Sequence, residues 1–169
     1  MILAPNNGSV GIQPAGTKCR CINRQGSALV VGDVVVTSYA HSGAIYPPAD
    51  TVASLELSPL SCVVKADGSP TSSPGFVGVV TGLLSGAGAD ASYVEVQFGG
   101  IANAKVNASG AAIALGSGLV LSDTAGQFAN AGGGTPTVGL AIALGACADG
   151  SSATIPVILP PVAHFPLSI

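Results

Sequence analysis

Val77-Gly78-Val79-Val80 followed by Val94-Glu95-Val96-Gln97-Phe98 is the stretch on which the fold turns, because it occurs twice. At an offset of 61 residues stand Val138-Gly139-Leu140-Ala141 and Ile155-Pro156-Val157-Ile158-Leu159. Val77 then matches Val138, Gly78 matches Gly139, Val94 matches Ile155, Val96 matches Val157 and Phe98 matches Leu159. Each unit reads as a strand, a loop rich in Gly, Ala, Ser and Asp, and an alternating strand. Period-two alternation in Tyr93-Val94-Glu95-Val96-Gln97-Phe98 predicts one buried and one outward face.

Working upstream, Ala28-Leu29-Val30-Val31-Gly32-Asp33-Val34-Val35-Val36-Thr37 is β-branched with a Gly-Asp break. It predicts two short strands around a turn. Ile113-Ala114-Leu115-Gly116-Ser117-Gly118-Leu119-Val120-Leu121 is its counterpart in the second unit. From Gly32 to Val77 is 45 residues, against 22 from Gly116 to Val138, so the first unit carries an insertion at about residues 40–73. Its prolines and small polar residues predict a surface loop that carries binding. Residues 108–115 predict at most one or two helical turns, and 82–91 and 145–153 read as tight Gly/Ala/Asp loops, with a short helical turn open to either. Pro156 inside an apolar run predicts a sheet-edge strand.

These readings give an all-β class: a compact β-barrel or jelly-roll-like sandwich built from two related β units, with extended N- and C-terminal arms. Residues 1–25 are expected to form the N-terminal arm, 26–160 the β domain and 161–169 a C-terminal tail. Lys18, Arg20 and Arg24 place three of the five basic residues near the first arm, where they would grip an acidic partner surface. Phe165, Leu167 and Ile169 alternate in the tail, as would suit a strand added to a neighbour's sheet.

With 169 residues the chain has material for a real core, burying roughly 70% of its unfolded surface. Only five basic and eight acidic residues are present, with four Phe, three Tyr and no Trp. So few charges give little repulsion between copies, which favours association with itself or another protein. A net charge of −3 opposes nucleic-acid binding, which needs a basic stripe. No uninterrupted apolar run is long enough to span a membrane. The first residues, Met1-Ile2-Leu3-Ala4-Pro5, lack the basic start and apolar core of a signal peptide, which points to a bacterial cytoplasmic or viral origin. Cys19, Cys21, Cys62 and Cys147 do not have zinc spacing and read as free thiols.

Catalytic chemistry finds little support. His41 and His164 are the only histidines, and neither lies near a nucleophile elbow; Gly116-Ser117-Gly118 lacks the spacing of one. The carboxylates are scattered, and Asp33, Asp90, Asp123 and Asp149 sit in turn-like contexts that suit backbone capping. Gly132-Gly133-Gly134 is followed by no lysine and reads as a hairpin loop rather than a phosphate cradle. No cofactor, metal site or catalytic residue is expected.

From Gly26 to Pro160 the chain resembles the head-decoration, or capsid cement, proteins of tailed bacteriophages. The resemblance runs through Val31-Gly32-Asp33-Val34-Val35, Phe76-Val77-Gly78-Val79 and Val94-Glu95-Val96-Gln97-Phe98-Gly99-Gly100-Ile101-Ala102. It continues through Gly116-Ser117-Gly118-Leu119-Val120 and Val138-Gly139-Leu140-Ala141 to the final Ile155-to-Leu159 strand. Gly116-Ser117-Gly118 stands where the family often has Gly-Asp, and the 40–73 insertion is longer than the family pattern. The resemblance implies a non-enzymatic virion protein on the outer capsid surface, made in the host cytoplasm and bridging major capsid subunits. With it goes the expectation of a homo-oligomer, a trimer in preference to a dimer. The competing reading is a head-fibre or adhesin-like module that binds glycans or receptors through Tyr39, His41 and Tyr46. A β-fold hydrolase using His41 ranks third.

Overall fold

The computed structural model describes residues 18–37, 62–67, 76–132 and 139–160. Ten strands make up nearly all of their regular structure. They are β1 (Lys18–Asn23), β2 (Val34–Thr37), β3 (Cys62–Lys65), β4 (Val77–Leu83), β5 (Tyr93–Gln97), β6 (Gly100–Asn107), β7 (Gly118–Leu121), β8 (Phe128–Asn130), β9 (Ala141–Ala143) and β10 (Ser152–Leu159). A 3-10 turn, Gly86–Gly88, interrupts the loop between β4 and β5.

Two closed five-stranded barrels result, ordered β1-β3-β2-β4-β5 and β6-β8-β7-β9-β10. The second order is the first advanced by five strands. Pairing directions repeat as well: β1 runs parallel to β3 and β6 parallel to β8, and every other pair in both barrels is antiparallel. The chain is thus a tandem duplication of one small barrel, and the expected two-unit β architecture is present.

Local chemistry repeats with the topology. Asn23 and Asn107 end β1 and β6, and each side-chain Oδ1 accepts the N–H two residues further on, at 2.8 and 3.0 Å. Such Asx turns offer the backbone an alternative to the ladder and so stop the strand. In residues 30–33 the Asp33 N–H donates to the Val30 carbonyl while Oδ2 accepts the Val30 N–H. In residues 114–117 the Ser117 N–H and Oγ do the same for Ala114. The intervening Gly32 and Gly116 adopt φ of 92° and 86°.

A third pair of turns was visible in the sequence only as small-residue loops. Ala89-Asp90-Ala91-Ser92 and Ala148-Asp149-Gly150-Ser151 each close with the serine N–H and hydroxyl donating to the alanine carbonyl. The third residue is left-handed in both, with φ of 61° at Ala91 and 73° at Gly150. Only the second barrel uses the glycine this geometry favours. Ala91→Gly is therefore expected to stabilise the protein by about 0.5–1 kcal/mol, read as a melting temperature higher by a few degrees. An unchanged or lower melting temperature would show that the left-handed alanine carries no strain.

Each barrel has its own interior. Cys21, Leu29, Val35, Val63, Val80, Val94, Val96 and Phe98 fill the first. Gly78 makes room for Phe98, since a Cβ there would lie 2.9 Å from the ring and 2.6 Å from Val96 Cγ1. Phe128, Leu119, Ile113, Val157 and Leu159 anchor the second interior, which is continuous with Val34, Val36, Val77 and Val79 on the outer face of the first barrel. All of β2 and the first four residues of β4 are therefore buried on both faces. This is the physical meaning of the Val34-Val35-Val36 run and of Val77-Gly78-Val79-Val80, which do not alternate between apolar and polar.

Several expectations are corrected. Lys18–Asn23 is a barrel strand paired with β5 and β3, so the body begins by residue 18 and not at 26. Its polar side chains hid a strand whose outward face meets solvent. Cys62–Lys65, read as part of the insertion, is the barrel strand between β1 and β2. Its counterpart β8 occupies the same place, so the extra length lies in the connections around β3. No strand forms at residues 28–31; Leu29 instead drops into the first interior while its N–H donates to the Gly88 carbonyl. Residues 108–115 hold a turn and a bridge from Ile113 to Cys147, not helix.

Pro156 does not mark a sheet edge. It lies within closed β10, opposite Asn103 of β6. Its carbonyl accepts the Leu144 N–H at 2.8 Å just where pairing with β9 stops, so the missing proline donor falls beyond that short ladder. The sheet register also matches Gly78 with Ala141, not Gly139, because Gly78 faces Val35 and Ala141 faces Leu119. The β4–β5 hairpin is two residues longer than β9–β10, and a two-residue slip keeps side chains on the same face. That is why the sequence pattern survived it.

Candidate functional site

The junction of the two barrels is built around one buried carboxylate. Asp33 follows the glycine of the residue 30–33 turn, and its side chain is 2% exposed. Oδ1 accepts from Lys105 Nζ at 2.7 Å, and Lys65 Nζ stands 3.5 Å from Oδ2. Lys65 ends β3 of the first barrel and Lys105 belongs to β6 of the second. The backbone reinforces the same seam. Lys105 N–H donates to Gly32 carbonyl at 2.8 Å, Val34 N–H to Gly126 carbonyl at 2.9 Å, and Gly126 N–H to Ala66 carbonyl at 2.7 Å. The turn duty expected of Asp33 is real, but its larger role is to weld the barrels, which a linear pattern cannot reveal.

Lys18 and Arg20, expected to bind a partner, project from the outer face of β1 and are exposed. Lys18 Nζ donates to Glu95 Oε1 at 2.8 Å, and the Arg20 guanidinium lies 3.7 Å over the centre of the Tyr93 ring. The Lys18 ammonium and then the Thr81 hydroxyl hold the Glu95 carboxyl below its ordinary 4.5. Arg24 stands apart, half-buried in the loop after β1, with its Nε buried and unpaired among the described residues. Phe165, Leu167 and Ile169 lie outside the described residues, as do Tyr39, His41, Tyr46 and His164.

The surface also carries apolar side chains that sequence reading passed over. Ile101 is 52% exposed on β6, Leu115 72% on the residue 114–117 turn and Ile142 47% on β9. Ile101 was legible in principle, because it alternates with buried Ala102 and Ala104 and so had to face outward.

Of the four cysteines, Cys19 is exposed and Cys21, Cys62 and Cys147 are buried. Burial, then the neighbouring Cys19 and Cys62, push the Cys21 thiol from its ordinary 9.0 up to about 12. A thiolate reagent is expected to label Cys19 alone in the native protein at neutral pH, with Cys21, Cys62 and Cys147 reacting only on unfolding. Because folding raises the Cys21 value, its neutral form stabilises the fold below pH 9.0 and that contribution fades as pH climbs towards about 12. Rapid native labelling of two or more thiols would contradict the burial.

No group of three or more His, Cys, Asp or Glu able to hold a metal occurs among the described residues. No helix there is long and apolar enough to cross a membrane. Comparison with family models, curated proteins and solved structures finds no match.

Proposed function

We propose that this chain is a structural virion protein that decorates and cements the outer surface of an icosahedral phage head, contacting major capsid subunits. The observation that carries the reading is the pair of barrels of one topology, welded through Asp33 and bearing exposed Ile101, Leu115 and Ile142. Two rigid closed barrels resist deformation without a cofactor, and the low charge suits a protein that works surface to surface. Closure also removes free sheet edges among the described strands. A strand supplied by the residue 161–169 tail would therefore pair with a sheet other than these two. Repeated weak contacts by an oligomer would supply the avidity a cement needs.

Trimming the N-terminus tests this reading and uses the corrected boundary. Removing residues 1–17 leaves β1 whole and is expected to keep the melting temperature while weakening co-sedimentation with empty capsids. Removing residues 1–20 takes away the β1 partners of Gln97, Val96 and Glu95 and is expected to lower the melting temperature markedly. A full-length, folded chain that never co-sediments with capsids would defeat the cement reading.

A further inference from the structure

Three isoleucines form a row across the outside of the second barrel. Ile158 of β10 lies opposite Ile142 of β9 on one side and Ile101 of β6 on the other. Each alternates with buried neighbours along its strand, so all three side chains point outward. Ile142 and Ile101 are 47% and 52% exposed, and Ile158 is half-buried. A lone exposed isoleucine is ordinary, but three side by side on adjacent strands make a continuous apolar patch, and such patches mark contact surfaces. With strands about 4.8 Å apart the row is about 10 Å long. It sits where β10 leaves the barrel: Ile158 is followed by Leu159 and then Pro160, the last described residue.

We propose that residues 161–169 of the same chain lie across this row and cover it. Chemistry, length and point of attachment agree. The segment contains no Lys, Arg, Asp or Glu, and Phe165, Leu167 and Ile169 recur at every second position. At about 3.3 Å per extended residue these three span about 13 Å, enough to set one apolar side chain near each isoleucine. Residues 161–164 supply about another 13 Å in which to turn back from Pro160. Both sheets are closed, so the segment has no edge to join on its own barrels, and Pro161 and Pro166 have no N–H to give a ladder. Contact through side chains across the strands needs neither. Attachment so close to Ile158 holds the segment at a local concentration on the order of millimolar, so each chain covers its own row before another copy's segment does. A partner surface that takes the row must first displace the segment, whereas Leu115, 72% exposed on the residue 114–117 turn, lies outside the row. The inference is independent of the capsid reading.

Disulfide mapping tests it in full-length chains carrying Cys19→Ser, which removes the exposed native thiol. Ile142→Cys is combined in turn with Phe165→Cys, Leu167→Cys and Ile169→Cys, and each chain is oxidised in dilute solution. At least one combination is expected to close within a single chain, seen as a monomer that migrates faster without reductant. Ser109→Cys, exposed beyond the opposite end of β6, takes the place of Ile142→Cys as the control and is expected not to close. Disulfide-linked dimers in place of closed monomers would put the contact between copies and overturn the proposal. Equal closure from Ser109→Cys, or closure by none of the combinations, overturns it as well. A second measurement needs no thiols. Replacing Phe165, Leu167 and Ile169 together by serine is expected to leave circular dichroism unchanged and to raise the emission of an apolar-surface dye several-fold, and adding Ile142→Asp is expected to remove that gain. Unchanged dye emission in the triple variant would overturn the covering of the row.

Discussion

Asp33→Ala is expected to cost about 3 kcal/mol of folding stability and to change how the protein unfolds. The substitution removes the acceptor for Lys105 at 2.7 Å, the charge beside Lys65 and the cap on the Val30 N–H. Removing one partner of a buried ion pair typically costs about 3–5 kcal/mol, because the remaining charge stays desolvated. Here the lysine side chains are 25% and 32% exposed and regain water, which argues for the lower end of that range. The weld joins two interiors, so its loss should also separate their unfolding. Urea titration followed by circular dichroism and tyrosine fluorescence is expected to show one transition in the parent and two in the variant. Asp33→Asn, which keeps the shape and the Val30 cap, should retain part of the lost stability. A parent-like midpoint for Asp33→Ala would mean that the ion cluster is effectively solvated and that the valine face alone holds the barrels together.

Gly88→Ala is expected to be at least as damaging, with a loss of about 3 kcal/mol or more. Gly88 has φ of 76°, in the region that side chains rarely adopt, and a Cβ there would stand 2.1 Å from the Leu29 carbonyl oxygen. The obstacle is backbone, so no rotamer change relieves it. Moving either segment breaks a linked set of hydrogen bonds. The Gly88 carbonyl accepts the Leu29 N–H at 2.9 Å and the Asn23 side-chain amide at 2.7 Å. Leu29 is fully buried in the first interior, and Asn23 ends β1, so strain at one point spreads to the packing of a whole barrel. The expected result is poor recovery of folded protein, or a melting temperature many degrees below the parent. Gly110→Ala is a fitting control: its φ of 92° carries the same left-handed penalty, but nothing lies within 4 Å of the added Cβ. Equal losses in the two variants would assign the whole cost to backbone angle and none to the clash.

The duplication could be read from the residues because side-chain parity survives small changes in loop length. Val94, Val96 and Phe98 kept step with Ile155, Val157 and Leu159, and all six are buried as that pattern required. The β1 strand escaped notice, and β3 showed only as the β-prone run Leu60 to Val64 inside the insertion, for a related reason. Lys18-Cys19-Arg20 is half of a strand whose outer face is wet, and Cys62–Lys65 is only four residues long. Neither offers enough period to stand out from its polar surroundings. The candidate surface was less legible still. Lys18 and Arg20 could be singled out by charge, but their partners Glu95 and Tyr93 are brought to them across the β1–β5 ladder.

Alternation and unbroken valine runs, by themselves, determined that this chain is all-β, that it is doubled, and which residues face inward, since those features depend only on neighbours along the strand. Which strand lies beside which, the closure of each sheet, and the meeting of Asp33 with Lys65 and Lys105 were decided by tertiary structure alone. Such contacts join residues 32 and 72 positions apart, and no local period records a partner chosen by packing two finished barrels against each other.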